Sequence, residues 1–177
     1  MMKVVCISAK AQNGKDFTAS CIEEYLTQKG KKVLVAHYSD LLKYVCKQFF
    51  GWDGKKDEVG RTLLQKVGTE KVRGINPNYW TDFLVGFLKM FQDAWDVVVV
   101  ADTRFPNEVE CWKEAGFDSI AVRVTRPNFK SPLTEEQQQH ASEIALDNYE
   151  FDEYLTNDGT DSYRTEVQQF CDALLGE

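Results

Sequence analysis

The sequence has no Cys-x-x-Cys pair, only 2 histidines, and no apolar run near the about 20 residues that a membrane-spanning helix needs. Cys6, Cys21, Cys46, Cys111 and Cys171 stand singly, which argues against a zinc site or a disulfide framework and predicts a reducing compartment. Met1 to Ser8 lacks the charged start, long apolar stretch and small-residue cleavage site of a secretory signal, so none is expected. Positive charge is scarce as well. Lys+Arg number 21 against 28 Asp+Glu, a formal net charge of −7. A protein that neutralises a nucleic-acid backbone needs a basic stripe, so neither a nucleic-acid polymer nor a membrane is an expected partner.

What is present suits an ordered globular chain: 177 residues, 43% hydrophobic and 28% charged, enough to bury a core without a metal or disulfide staple. One domain over 1–177 is expected. Of the arginines, Arg61, Arg73, Arg104, Arg123 and Arg126 fall in segments read below as facing a site, a distribution that suits a small anionic ligand.

Lys3 to Ser8 is short, apolar and β-branched, and leads through a polar loop into a helix-compatible stretch from Lys15 to Gln28. Gly30 stops that helix, and Lys32 to His37 reads as a second strand buried on both faces. Ser39 to about Gln92 reads as three helices interrupted at 51–55 and 74–77. Asp96 to Ala101 is the clearest strand, and Pro106 starts a helix that ends near Gly116. Asp118 to Thr125 is another strand, followed by a polar, Gln-rich lid candidate; Phe151 to Thr156 and Tyr163 to Leu175 close the chain as strand and helix. The expected fold is α/β, a three-layer sandwich with a five-stranded parallel sheet and helices on both faces.

Ala9-Lys10-Ala11-Gln12-Asn13-Gly14-Lys15-Asp16 follows the first strand and opens the first helix, the context of a phosphate-binding Walker A loop. Backbone N–H groups of such a loop wrap phosphates, the helix N-terminus adds positive potential, and Lys15 reaches the β- and γ-phosphates. Ala9 replaces the usual first glycine. Asp16 replaces the usual hydroxyl residue, and a carboxylate there suits Mg²⁺ directly or through water. The competing reading is an ordinary strand-to-helix turn with Asp16 favouring the helix start.

With three further segments, Tyr38 to Lys43, Arg61 through Arg73 with Trp80, and Asp102-Thr103-Arg104-Phe105-Pro106-Asn107-Glu108, most of the chain resembles the deoxynucleoside monophosphate kinases of the tailed-phage type. It is more distantly similar to phosphomevalonate kinase. The resemblance implies a P-loop NTPase fold, a helical acceptor-binding insert over 39–93 and a lid over 126–145. It implies ATP and a deoxynucleoside monophosphate as ligands, Mg²⁺ as cofactor, and the cytoplasm as location, the host's if the chain is phage-encoded. A homodimer is left open.

By the same resemblance Ala11, Asn13, Gly14, Lys15, Asp16, Phe17, Asn157 and Gly159 serve ATP, and Asp16 and Asp102 the metal. Ser39, Asp40, Lys43, Arg61, Gln65, Thr69, Arg73, Trp80, Asp102 and Arg104 serve the acceptor, and Lys15, Arg104, Arg123 and Arg126 the transferring phosphoryl group. His140, Ser142 and Glu143 resemble a patch that the family carries after the lid. Each has a plainer reading. Asp102 caps the helix that Pro106 begins, Arg104 pairs with Glu108, and Arg61, Gln65 and Thr69 form a solvated helix face at spacing four. Trp80 is core, His140 an exposed helical residue, and Asn157-Asp158-Gly159 a simple turn. A kinase for another phosphorylated metabolite, or a nucleotide-binding protein without transferase activity, are the alternative functions.

Overall fold

The computed structural model describes residues 2–177. Continuous β-branched runs become strands: β1 Lys3–Ala9, β2 Val33–Ala36, β3 Val97–Val100, β4 Asp118–Thr125 and β5 Glu153–Thr156. The β3 valines are at most 1% exposed, as a strand covered on both faces requires. All pairings are parallel, in the order β2-β3-β1-β4-β5. The central β1 pairs with β3 on one side and β4 on the other, with Ser8 opposite Arg123. The strand order reverses at β1, so its carboxyl end is where a doubly wound sheet opens a ligand crevice.

The helices are α1 Lys15–Gln28, α2 Ser39–Phe50, α3 Glu58–Gln65, α4 Tyr79–Met90, α5 Pro106–Glu114, α6 Glu135–Gln138, α7 Ala141–Ile144 and α8 Asp161–Leu175. α1 and α8 cover one sheet face, where Ile22, Leu26, Val167 and Cys171 meet Val5, Ile7, Val99 and Val122. Val109, Ala121, Leu146 and Phe151 form a second cluster. The lid candidate holds α6 and α7, each one turn long. Thr134 caps α6 by accepting the Gln137 N–H at 3.2 Å, which supplies the N-terminal acceptor a short helix needs.

The chain divides into two compact units: one runs up to Ala36 and resumes over Phe91–Glu177, and the other is His37–Met90. In the second unit, Cys46, Trp52 and Val67 form a core with Leu42, Leu63 and Leu64 against it. The expected middle helix is present but changes character. From Lys66 to Arg73 it is a π-helix, so Arg61, Gln65 and Thr69 do not continue one α-helical face. The wider turn moves Thr69 and Arg73 out of the spacing-four register.

Candidate active site

The loop after β1 turns sharply into α1. Gly14 has φ 98° and ψ 16°, beyond the small left-handed basin that side-chain-bearing residues tolerate. A Cβ there would lie 2.1 Å from Asn157 Nδ2, so space as well as dihedral angle demands glycine. Gln12 also has positive φ, 59°. Lys15 begins α1, and its Nζ donates to the Asp16 carboxylate at 2.5 Å.

Asn13 holds the loop's shape. Its backbone N–H donates to Lys10 C=O at 3.1 Å, and its Nδ2 donates to Ala11 C=O at 3.1 Å. Its Oδ1 accepts the Arg126 backbone N–H at 2.9 Å, and its own C=O accepts Asn157 Nδ2 at 3.4 Å. Asn157 is 7% exposed and accepts the Gly159 N–H at 3.1 Å. The Asn-Asp-Gly turn therefore braces the loop from behind, a contact spanning 144 positions. Phe17, 43% exposed, stacks on Tyr163 with centroids 6.2 Å apart, and the Arg164 guanidinium lies over its ring. Beneath it the Thr18 and Tyr163 hydroxyls share a buried hydrogen bond at 2.5 Å.

After β3, Asp102 is half-buried and Thr103 buried. Helix capping at Pro106 belongs to Glu108, whose carboxylate accepts the backbone N–H of Arg104 at 2.6 Å and of Phe105 at 3.1 Å. The Arg104 side chain instead reaches Ser142 and Glu143. Its Nη1 donates to Ser142 C=O at 3.1 Å and pairs with the Glu143 carboxylate. Lys10 Nζ donates to Glu143 C=O at 2.6 Å and pairs with Asp147 at 2.5 Å, and the Ala11 N–H donates to Glu143 Oε2 at 3.1 Å. The loop after β1, Arg104 and the 140–147 segment are thus tied together in one unit.

Arg123 lies within β4, its side chain only 13% exposed. It donates to Ser8 Oγ at 2.9 Å and to Asp147 at 3.5 Å, with its guanidinium over the Phe151 ring. Burial pulls its pKa down, against Asp147 and Glu143, which raise it. These contacts brace the side chain against the sheet. Arg126, exposed, stands just after β4 over Phe129, near Gly159.

In the second unit, Asp40 pairs with Lys43 at 2.9 Å and His37 at 3.2 Å. Burial raises the Asp40 pKa, but the Lys43 hydrogen bond and the neighbouring charges outweigh it and hold the carboxyl below its ordinary value. Ser39 opens α2. Arg61 and Gln65 are exposed and Thr69 and Arg73 half-buried; Arg61 Nε donates to Lys56 C=O at 2.9 Å, and Arg73 Nη1 to Pro77 C=O at 3.2 Å. Trp80 is not a stacking platform. It is 4% exposed, and its Nε1 donates to Gly68 C=O at 3.2 Å, because a buried indole needs an acceptor. His140 is likewise a cap rather than a helical residue: its Nδ1 accepts the Ser142 N–H at 3.2 Å at the start of α7.

A loop of this shape does not by itself name a family. Residues 37–164 match the family described as Deoxynucleotide monophosphate kinase. The chain belongs to that family. A deoxynucleoside-5'-monophosphate kinase of Escherichia phage T5 is 33% identical over 121 residues, 65% of this chain and 46% of that protein. A deoxynucleotide monophosphate kinase of Enterobacteria phage T4 is 31% identical over 102 residues, 56% of this chain and 39% of that protein. The chain therefore spans less than half the length of these curated relatives. Among solved structures, the Mycobacterium tuberculosis APS kinase CysC in complex with AMPPNP and APS superposes with a TM-score of 0.55 at 17% identity, covering 97% of this chain and 96% of that one. Shikimate kinase from Bacteroides thetaiotaomicron gives 0.52 at 12%, covering 98% of each. These likenesses concern the fold, which is that of P-loop kinases. The family match begins after the 9–16 loop, so the geometry of that loop and the family membership are separate observations.

Among the described residues, no group of three or more His, Cys, Asp or Glu is set to hold a metal. Mg²⁺ asks for less: it keeps several waters and takes one or two carboxylates plus phosphate oxygens. Asp16, its side chain 73% exposed, and Asp102, half-buried, each offer a carboxylate, the ligand type that this ion takes. Among the described residues no helix is long and apolar enough to cross a membrane.

Proposed function

We propose that this chain transfers the γ-phosphate of ATP to a deoxynucleoside 5'-monophosphate, giving the diphosphate. The observation that carries the reading is the left-handed Gly14 turn that opens α1 at Lys15, in a member of the deoxynucleotide monophosphate kinase family. The amides of residues 14–16 bind the ATP phosphates, Lys15 exchanges Asp16 for the β- and γ-phosphates, and the loop at Asn157–Gly159 borders the adenine. Asp16 and Asp102 are the residues that would hold Mg²⁺, which would supply charge neutralisation at the phosphates.

Arg104 binds the acceptor phosphate as a fork and Arg126 the transferring group. Taken by itself, the His37–Met90 unit carries Ser39, Lys43, Arg61, Gln65 and Arg73 as its proposed nucleotide-binding side chains, with Asp40 fixing Lys43. The acceptor is a phosphate monoester with a second pKa near about 6, mostly dianionic at neutral pH, so no general base is required. Rate then comes from alignment and charge neutralisation. We read 126–145 as the lid and the whole chain as one kinase module.

The test is ADP release, coupled to NADH oxidation, with Mg²⁺, ATP and a panel of dAMP, dCMP, dGMP, dTMP, their ribose counterparts and phosphomevalonate. Turnover with deoxynucleotides is expected, lost by at least about 100-fold in Lys15→Ala at unchanged circular dichroism. Turnover with phosphomevalonate alone replaces the acceptor, and near-normal turnover in the variant refutes the loop's role.

A further inference from the structure

We infer that Glu143 is a positioning residue that sets Arg104 and the loop after β1 for phosphate binding; this rests on the kinase reading above. Its carboxylate takes one donor on each oxygen: Arg104 Nη1 on Oε1 and the Ala11 backbone N–H on Oε2. These partners lie 39 and 132 positions away, so one side chain joins two separate phosphate-facing elements. Its own carbonyl takes Lys10 Nζ, and the neighbouring Ser142 carbonyl takes Arg104 Nη1 again.

A carboxylate among phosphate-binding donors reduces the positive potential that attracts the ligand, and its burial costs solvation. Such a residue is tolerable where it orders the donors more than it discharges them. The surroundings of Glu143 fit ordering. Its side chain is only 9% exposed, and both oxygens are used. The turn of helix that carries it is fixed by the His140 cap. Asp147 engages both Lys10 and Arg123, which anchors the far end of the same segment. An exposed acidic side chain that merely stands in for an absent anion would have none of this support.

The two bonds on the Arg104 Nη1 fix the plane of the guanidinium, so the fork is set before an acceptor phosphate arrives. The bond to the Ala11 N–H fixes the lip of the loop after β1. Glutamine cannot replace this function fully: its amide oxygen serves one of the two donors, and its NH₂ group then faces the other.

The test uses the full chain with Glu143→Ala, Glu143→Gln and Arg104→Ala, alone and with Glu143→Ala. Acceptor kcat/KM is expected to fall about 100-fold in Glu143→Ala and about tenfold in Glu143→Gln, mostly through acceptor KM, with the ATP KM moved less. Adding Glu143→Ala to Arg104→Ala should cost clearly less than the about 100-fold of Glu143→Ala alone, because the part that acts through the guanidinium is already gone and only the part through the Ala11 N–H remains. Independently of turnover, the Ala11 amide should exchange its hydrogen at least about tenfold faster in Glu143→Ala without nucleotide. If Glu143→Ala does not fold, Glu143→Gln carries both readouts. Wild-type inactivity with every monophosphate would overturn the kinase reading, while faster Ala11 exchange would still uphold the brace. Unchanged Ala11 exchange, or tighter monophosphate binding in either Glu143 variant, overturns the inference, the latter making the carboxylate a competitor of the ligand.

Discussion

Gly14→Ala should destabilise the first unit by about 3–4 kcal/mol. An L-residue in the left-handed region costs about 1–2 kcal/mol, and φ is 98° here. The added Cβ would stand 2.1 Å from Asn157 Nδ2, so Asn157 must move and release its bonds to Asn13 C=O and the Gly159 N–H, about 1 kcal/mol each. Urea denaturation followed by far-ultraviolet circular dichroism reads the loss as a lower midpoint at unchanged slope. The decisive comparison is a double-variant cycle. Asn157→Ala alone should cost about 2 kcal/mol, by the same two bonds, and Gly14→Ala with Asn157→Ala should cost no more than Gly14→Ala, since the collision partner is gone. Additive losses, or a Gly14→Ala loss below about 0.5 kcal/mol, would refute the assignment of Asn157 as the brace behind the phosphate loop.

Trp80→Phe should lower stability by about 1–2 kcal/mol, through the orphaned Gly68 carbonyl and the lost ring volume, and leave acceptor KM unchanged; a large rise in KM would return Trp80 to the binding site. Stability should also fall in alkali. Burial pushes the Tyr163 phenol, despite its Thr18 hydrogen bond, from 10.0 to about 12, and burial pushes the Cys171 thiol from 9.0 to about 12. Both groups stay protonated in the fold where the unfolded chain ionises them. Their contribution is therefore complete below the unfolded values and lost as pH rises through the interval up to about 12. Tyr163→Phe should flatten part of that decline in denaturation midpoints, and a flat wild-type profile would contradict it.

The parallel sheet was readable because buried strands write themselves as continuous β-branched runs: Val97–Val100 needs no context. The loop after β1 was readable from its place between strand and helix, even with Ala9 and Asp16 off the usual pattern. The π-helix over Lys66–Arg73 was not, since apolar spacing there suits an α-helix and the wider turn arises in packing, where Gly68 lies against Leu42. Trp80 could be read either as core or as platform until its burial was known. Glu143 and Asn157 carry bonds across more than a hundred positions, and no local periodicity encodes such contacts. The one sequence signal for Glu143 was its place in the His140 to Glu143 patch. Arg123 was expected at the transferring phosphoryl group; its bond to Ser8 follows from the β1–β4 register, which no local pattern writes out.

The most direct test of the account follows the phosphorus itself: ³¹P NMR of ATP, Mg²⁺ and a deoxynucleoside monophosphate with the purified chain. The account predicts loss of the ATP γ-resonance, with matching growth of ADP and of the α- and β-resonances of a deoxynucleoside diphosphate. Appearance of inorganic phosphate alone, or an unchanged spectrum from a folded chain that binds ATP, for all four deoxynucleotides, would contradict it.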